Sequence, residues 1–253
     1  MSRLHAHRPA IVLVLVLAAG LAIITVPGLS GAARGVKHPL TNQLDPAFAT
    51  LGVKSLAALP FSTDISDSDD PDRIAPTLCQ AKFYQALNAD SGFHVSVEEV
   101  ERIIEGQKLQ AEMESFYKKW TSDQDDVKTE FIKKIAAQVK ADAVVVGVVD
   151  VWYQQPVDIT ESGSARTAVG VIVGLFDGAT GKRLWLGRDE YYKEAVRHTA
   201  QESSNDAQRK EMRGEMERTN LRTASGVYAP PDYAEVVDMV VGSLVPAFPK
   251  RVK

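Results

Sequence analysis

Three stretches late in the chain set the frame. ADAVVVGVVDVW (Ala141 to Trp152) is apolar on both of its alternating faces and far shorter than the roughly 20 residues that span a bilayer, so it predicts a central strand covered on both sides. ARTAVGVIVGLF (Ala165 to Phe176) and GKRLWLGRDEYY (Gly181 to Tyr192) follow, separated by DGATG (Asp177 to Gly181). That pattern predicts a hairpin in which the aspartate accepts turn hydrogen bonds and the glycines supply positive φ. Val144, Val146 and Val148 are expected to be fully buried. Upstream, VKSLAALPF (Val53 to Phe61) predicts a short strand ending at Pro60.

Apolar positions at helical spacing fill the space between these strands. A helix is expected from Arg73 to Asn88, with Ala75, Leu78, Cys79, Phe83, Ala86 and Leu87 on one face. SGFHVSVEEV (Ser91 to Val100) predicts a short strand and then a capping box: Ser96 caps, Glu99 answers it, and Val95 with Val100 forms a staple. The helix begun at Val97 buries Val100, Ile103, Ile104, Met113, Phe116, Tyr117 and Trp120. Another is expected from Asp123 to Lys140, capped by Ser122, with Val127, Phe131, Ile135 and Val139 inward. A last helix follows Asp232, with Glu235 as box partner and Tyr233, Val236, Val237, Val240, Val241 and Leu244 on one stripe. The fold class is therefore α/β, a single mixed sheet with helices packed on it.

The N-terminus stands apart from this frame. Arg3, His5, His7 and Arg8 precede an apolar run from Ala10 to Val26, followed by Pro27, Gly28 and small residues from Ser30 to Ala33. Residues 1–33 fit a signal peptide or an N-terminal membrane anchor, and either one sends the rest of the chain across the membrane. Without a cysteine at its end, the segment is not expected to be a lipid-attachment signal. Residues 34–52 show no sustained period and predict an extended linker, leaving 53–248 as the α/β domain. Within it, residues 193–222 form a polar arm of mixed charges, expected to be helical and solvated. Met212 and Met216, with Arg209 nearby, give the arm a narrow strip that a partner could cover.

Composition narrows the chemistry. Removing residues 1–33 takes away two arginines and no acids, changing 29 minus 33 into 27 minus 33, a net charge of −6. That balance argues against nucleic acid as a partner. The single cysteine, Cys79, reads as a small buried hydrophobe, and His94 as a structural histidine. Asp64, Asp67, Asp69, Asp70 and Asp72 crowd one loop, but the glycine and glutamate of an EF-hand are missing, so the loop reads as a solvated helix cap. No phosphate-binding, dinucleotide-binding, zinc-protease or nucleophile-elbow motif occurs. Asp150 is the one candidate for a buried carboxylate of raised pKa, in a position where a strand commonly reaches water. No catalytic residue, cofactor or metal is expected.

Leu59, Pro60 and Phe61, then Ala141, Asp142 and Gly147, then Asp177, Thr180, Gly181 and Trp185 carry a resemblance. In that order, with the intervening helices, they resemble the α/β domain shared by the curli-secretion protein CsgG, the N-terminal domain of TolB and related bacterial envelope lipoproteins. The resemblance implies a periplasmic or membrane-associated, non-enzymatic component of an assembly, secretion or transport system. Its partners would be other envelope proteins or further copies of itself, with the membrane reached through residues 10–26. Pore formation is not expected, because YQQPVDITESGS (Tyr153 to Ser164) and the polar arm lack the alternation of transmembrane hairpins. The alternative is a periplasmic small-ligand-binding protein or enzyme using a cleft at the sheet's carboxyl ends.

Overall fold

The chain divides into residues 1–30 and 31–253. The computed structural model describes residues 36–37, 40–93, 95, 97–122, 129–158, 163–195 and 227–251. The apolar segment, the five histidines, Ser96, Val127 and the strip of Arg209, Met212 and Met216 lie outside the described residues. Among those described, no helix is long and apolar enough to cross a membrane.

In chain order the elements are β1 (Val36–Lys37), β2 (Thr41–Leu44), α1 (Phe48–Leu51), β3 (Leu56–Ala58), β4 (Ser62–Thr63), α2 (Ile74–Asp90), α3 (Glu98–Gly106), α4 (Gln110–Ser122) and α5 (Glu130–Val139). After them come β5 (Ala143–Gln155), β6 (Val157–Asp158), β7 (Arg166–Asp177), β8 (Arg183–Glu194), β9 (Val227–Tyr228) and α6 (Tyr233–Ala247). The seven-stranded sheet runs β1–β8–β7–β5–β3, with β2 sharing the β8 edge and β4 the β5 edge. Strands β3 and β4 lie parallel to β5; the other pairs in this sheet are antiparallel. β6 and β9 form a separate two-stranded sheet.

Alternation along β5 explains the two-sided core. Val145 and Val149 face one layer with Phe83, Leu87, Val240 and Leu244 from α2 and α6. Val144, Val146 and Val148 face the other, with Val100, Phe116, Trp120 and Ile135 from α3, α4 and α5. All three of these valines are fully buried, as the apolar run predicts. At about 1.5–3 kcal/mol for each large side chain removed from water, these two layers supply most of the driving force.

The Leu59-Pro60-Phe61 bend marks the change from β3 to β4, and three side chains satisfy its backbone. Tyr84 of α2 donates to the Leu59 carbonyl at 2.8 Å, and Tyr117 of α4 donates to the Pro60 carbonyl at 2.6 Å. The Phe61 amide donates to Gln80 Oε1 at 2.8 Å. Burial pushes both tyrosine hydroxyls well above their ordinary pKa, so they remain donors at any physiological pH.

Several expectations are corrected. The predicted linker is partly in the sheet, since Thr41–Leu44 pairs with β8 and Phe48 is buried. The polar arm begins later than expected, because Lys193 and Glu194 still belong to β8 and pair with Thr167 and Arg166. No strand forms among the described residues between Ser91 and Val97. The helix expected to run unbroken from Val97 is two helices.

At the break between α3 and α4, the Leu109 amide donates to the Ile104 carbonyl at 2.8 Å and the Lys108 amide to the Glu105 carbonyl at 3.1 Å, with Lys108 at φ 56°. This is the left-handed stop usually made by glycine, secured by burial of Leu109 beside Ile104. Ser122 ends α4 instead of capping α5: its hydroxyl donates back to the Lys118 carbonyl at 2.8 Å. The Asp232 cap holds, accepting from the Ala234 amide at 2.9 Å, while Glu235 reaches across to Lys193. In the DGATG turn, Gly181 has φ 73°, but Gly178 does not use positive φ and instead packs closely on Ala136.

Candidate functional site

The residues that carried the sequence resemblance are occupied in holding the fold. Asp142 accepts from the Lys54 and Ser55 amides and the Ser55 hydroxyl at 2.9, 3.0 and 3.0 Å, fixing the entry to β3. Those hydrogen bonds hold its carboxyl below the ordinary value against the opposing effect of burial, the largest single influence on it. Asp177 accepts from the Thr180 amide at 3.0 Å and from its hydroxyl, closing the turn between β7 and β8. Trp185 donates to Asn42 Oδ1 at 2.8 Å and packs on Phe248.

A different region extends beyond the helical layer. β5, β7 and β8 have 13, 12 and 12 residues, so each extends about 40 Å at 3.3 Å per residue. The apolar layer under α3–α5 ends at Val148, Ile172 and Leu186. Beyond it, the same sheet face continues as rows set by cross-strand pairing: Val151–Gly170–Glu190, then Tyr153–Ala168–Tyr192, then Gln155–Arg166–Glu194. A register shift between Val149 and Val151 makes Asp150 the extra residue of a bulge. The shift turns Tyr153 onto this face and Trp152 onto the opposite one, where it stacks on Tyr233 at 3.8 Å between ring centres.

The middle rows form an aromatic and cationic patch. The Arg166 guanidinium lies 5.7 Å from the Tyr153 ring centre and 5.8 Å from that of Tyr192, above the small side chain of Ala168. Arg166 donates to the Tyr192 hydroxyl at 3.4 Å, which donates to Glu194 Oε1 at 2.7 Å. The Tyr153 hydroxyl donates to Gln155 Oε1 at 3.1 Å, leaving the side chain 41% exposed. Burial, then the hydrogen bond to Glu194, raises the Tyr192 pKa and keeps it neutral. The patch is thus polar and hydrogen-bonded at its rim and aromatic at its centre.

Asp150 stands at the inner border of this patch. Its Oδ2 accepts from Arg188 Nε and Nη2, each at 2.8 Å, and its side chain is 14% exposed. Burial raises its pKa, and Arg188 opposes the shift. Gly170 lies opposite, where a Cβ would come within 2.6 Å of Asp150 Oδ1, so only glycine admits the carboxylate. No serine, cysteine or lysine stands beside Asp150 to act with it as a nucleophile among the contacts described. A second buried carboxylate, Asp189, lies on the opposite face and accepts from the Ser243 hydroxyl of α6.

Among the described residues, no group of three or more His, Cys, Asp and Glu could hold a metal. A 320 Å³ groove at α4 and α5 is lined by Ala111, Ser115, Phe116 and Phe131, and a 210 Å³ one at β2 by Leu44, Asp45 and Trp185. The first groove is also lined by Glu112 and Lys119 and the second by Arg183; Glu112 is paired with Lys134 at 3.0 Å and Asp45 with Lys182 at 2.6 Å. Cys79 is buried and its thiol is pushed up to about 12 by burial, which leaves it inert.

No protein-family model and no curated protein sequence matches the chain. It is similar to solved bacterial structures. The PelC dodecamer from Paraburkholderia phytofirmans is 14% identical, with 86% of this chain and 99% of that one covered and a TM-score of 0.41. Lipoprotein GNA1162 from Neisseria meningitidis is 15% identical over 64% of this chain and 99% of that one, with a TM-score of 0.40. The C-terminal domain of LpoB from Salmonella enterica is 14% identical over 55% and 82%, with a TM-score of 0.34.

Proposed function

We propose that the chain is an exported cell-envelope accessory protein, not an enzyme, that works through protein–protein contacts made by the Tyr153–Arg166–Tyr192 patch. The observation that carries this reading is the patch itself: two tyrosines bracketing an arginine on strands too long for the helical layer beside them. Tyrosine and arginine are the residues most enriched in the energetic centres of interfaces. They are already held in place here by hydrogen bonds to Gln155 and Glu194, so little side-chain freedom is lost when a partner docks. The positive residues before the N-terminal apolar run support export.

The test is recovery of partners from detergent-solubilised membranes by the full chain and by a Tyr153→Ser, Tyr192→Ser double variant. Removal of two anchors at about 2 kcal/mol or more each, about 4 kcal/mol together, should weaken affinity for the specific partner by about 700-fold and so abolish its recovery. The variant should remain folded, because neither ring belongs to the two buried layers. Equal recovery by a folded variant would refute the assignment of the patch.

A further inference from the structure

We propose that Arg188 is a two-position switch that leaves Asp150 for Glu190 when Asp150 takes up a proton, so that the border of the patch changes its charge with acidity. Both acceptors are already in place. Arg188 Nε and Nη2 bind Asp150 Oδ2 at 2.8 Å, while the same Nη2 stands 3.9 Å from Glu190 Oε2. Glu190 is two residues along β8 from Arg188 and therefore on the same face. Both carboxylates thus lie within reach of one side chain, and only a small rotation separates the two pairings.

The seat of Asp150 supplies the bias. The bulge turns its carboxylate inward over Gly170, where Oδ1 is buried and has no hydrogen-bond donor. A buried carboxylate with one bare oxygen favours its neutral form, and the pairing with Arg188 opposes that upward shift. The charged groups facing Asp150 are Arg188, which favours its charge, and Glu190, which opposes it. From β7 it meets Gly170, β4 brings Asp64 alongside with its amide on the Val149 carbonyl at 2.9 Å, and β2 sets uncharged Thr41 opposite Arg188. Proton uptake from solvent forms one O–H bond on Asp150 and breaks none. The carboxylate loses its charge, and the guanidinium moves to the acceptor that still has one.

The direction in pH follows from the sign of the shift. Because the folded-state pKa of Asp150 is raised, the folded protein binds its proton more readily than the unfolded chain does. Its ionisation therefore costs stability as the pH rises from the unfolded-state value through the raised folded-state one, and the neutral form is the less costly occupant of the seat. The switch is a property of the sheet and does not depend on what docks on the patch.

The experiment is a pH titration of the full chain in detergent, following the Asp150 carboxyl carbon and the Arg188 Nε–H by nuclear magnetic resonance. The Asp150 midpoint should lie above the ordinary aspartate value, and the Arg188 signal should move with the same midpoint. In Asp150→Asn, the Arg188 signal at neutral pH should match that of the acidified parent and stay there. In Glu190→Gln, the Asp150 midpoint should fall and the acid position of Arg188 should be lost. An Asp150 midpoint at or below the ordinary value, or an Arg188 signal that stays still while Asp150 titrates, would overturn the proposal.

Discussion

A Gly147→Ala variant is expected to lose about 3 kcal/mol of stability, read as a lower urea midpoint at unchanged slope. A Cβ at this position would come within 2.3 Å of the Phe61 ring, and the ring has nowhere to go. Its centre lies 5.8 Å from that of Phe83 and 5.4 Å from that of Tyr84, inside a layer packed like a crystal. The Leu59-Pro60-Phe61 motif and the glycine of the central strand are therefore one device: the bend drives a phenyl ring onto the sheet, and the missing side chain receives it. Combining Gly147→Ala with Phe61→Ala should cost less than the sum of the two single changes, because Phe61→Ala removes the ring that the new Cβ would strike. A parental midpoint for Gly147→Ala would show that the ring is free to move.

The second large effect is expected at the two tyrosines that hold the bend from opposite layers. Tyr84→Phe and Tyr117→Phe each keep the ring but remove the donor to the Leu59 or Pro60 carbonyl, leaving a backbone acceptor without its partner. Each should cost about 1–3 kcal/mol, and the pair together about 2–5 kcal/mol. Thermal unfolding of the three variants would measure this. Losses below a few tenths of a kcal/mol would mean that water replaces the phenol at the bend.

These two devices show what was legible in the sequence. A run of valines apolar on both faces has one good solution, a central strand between two helical layers, and the structure places it there. Capping residues were less decisive. A serine before an acidic run has the composition of a helix start, yet the Ser122 hydroxyl reaches back to Lys118 and ends the helix before it. The break at Lys108 has no signal in the sequence, because a lysine occupies a left-handed position that glycine ordinarily marks. The edge strand Thr41–Leu44 has no alternation to reveal it, since it is polar and largely exposed.

The patch was hidden for a sharper reason. Counting alternate residues from Val145 and Val149 places Tyr153 under α6 and Trp152 under the other layer. One extra residue at Asp150 inverts both assignments. On β8 the face was readable as Arg188, Glu190, Tyr192 and Glu194 in strict alternation, but its partners on β5 could not be matched to it without the bulge. The side chains that look most distinctive in the sequence, Asp142, Asp177 and Trp185, are occupied with local structure, while the proposed contact surface is made of residues with no motif.

The most direct test of the contact patch is site-specific photo-crosslinking in intact cells, with a benzoyl-phenylalanine placed at Tyr153 in one strain and at Lys119, beside the α4 groove, in another. The patch assignment predicts a discrete adduct with a second envelope protein from position 153, none from position 119, and loss of the adduct when Arg166→Ala is added. Adducts from position 119 alone, or a position-153 adduct indifferent to Arg166, would contradict it.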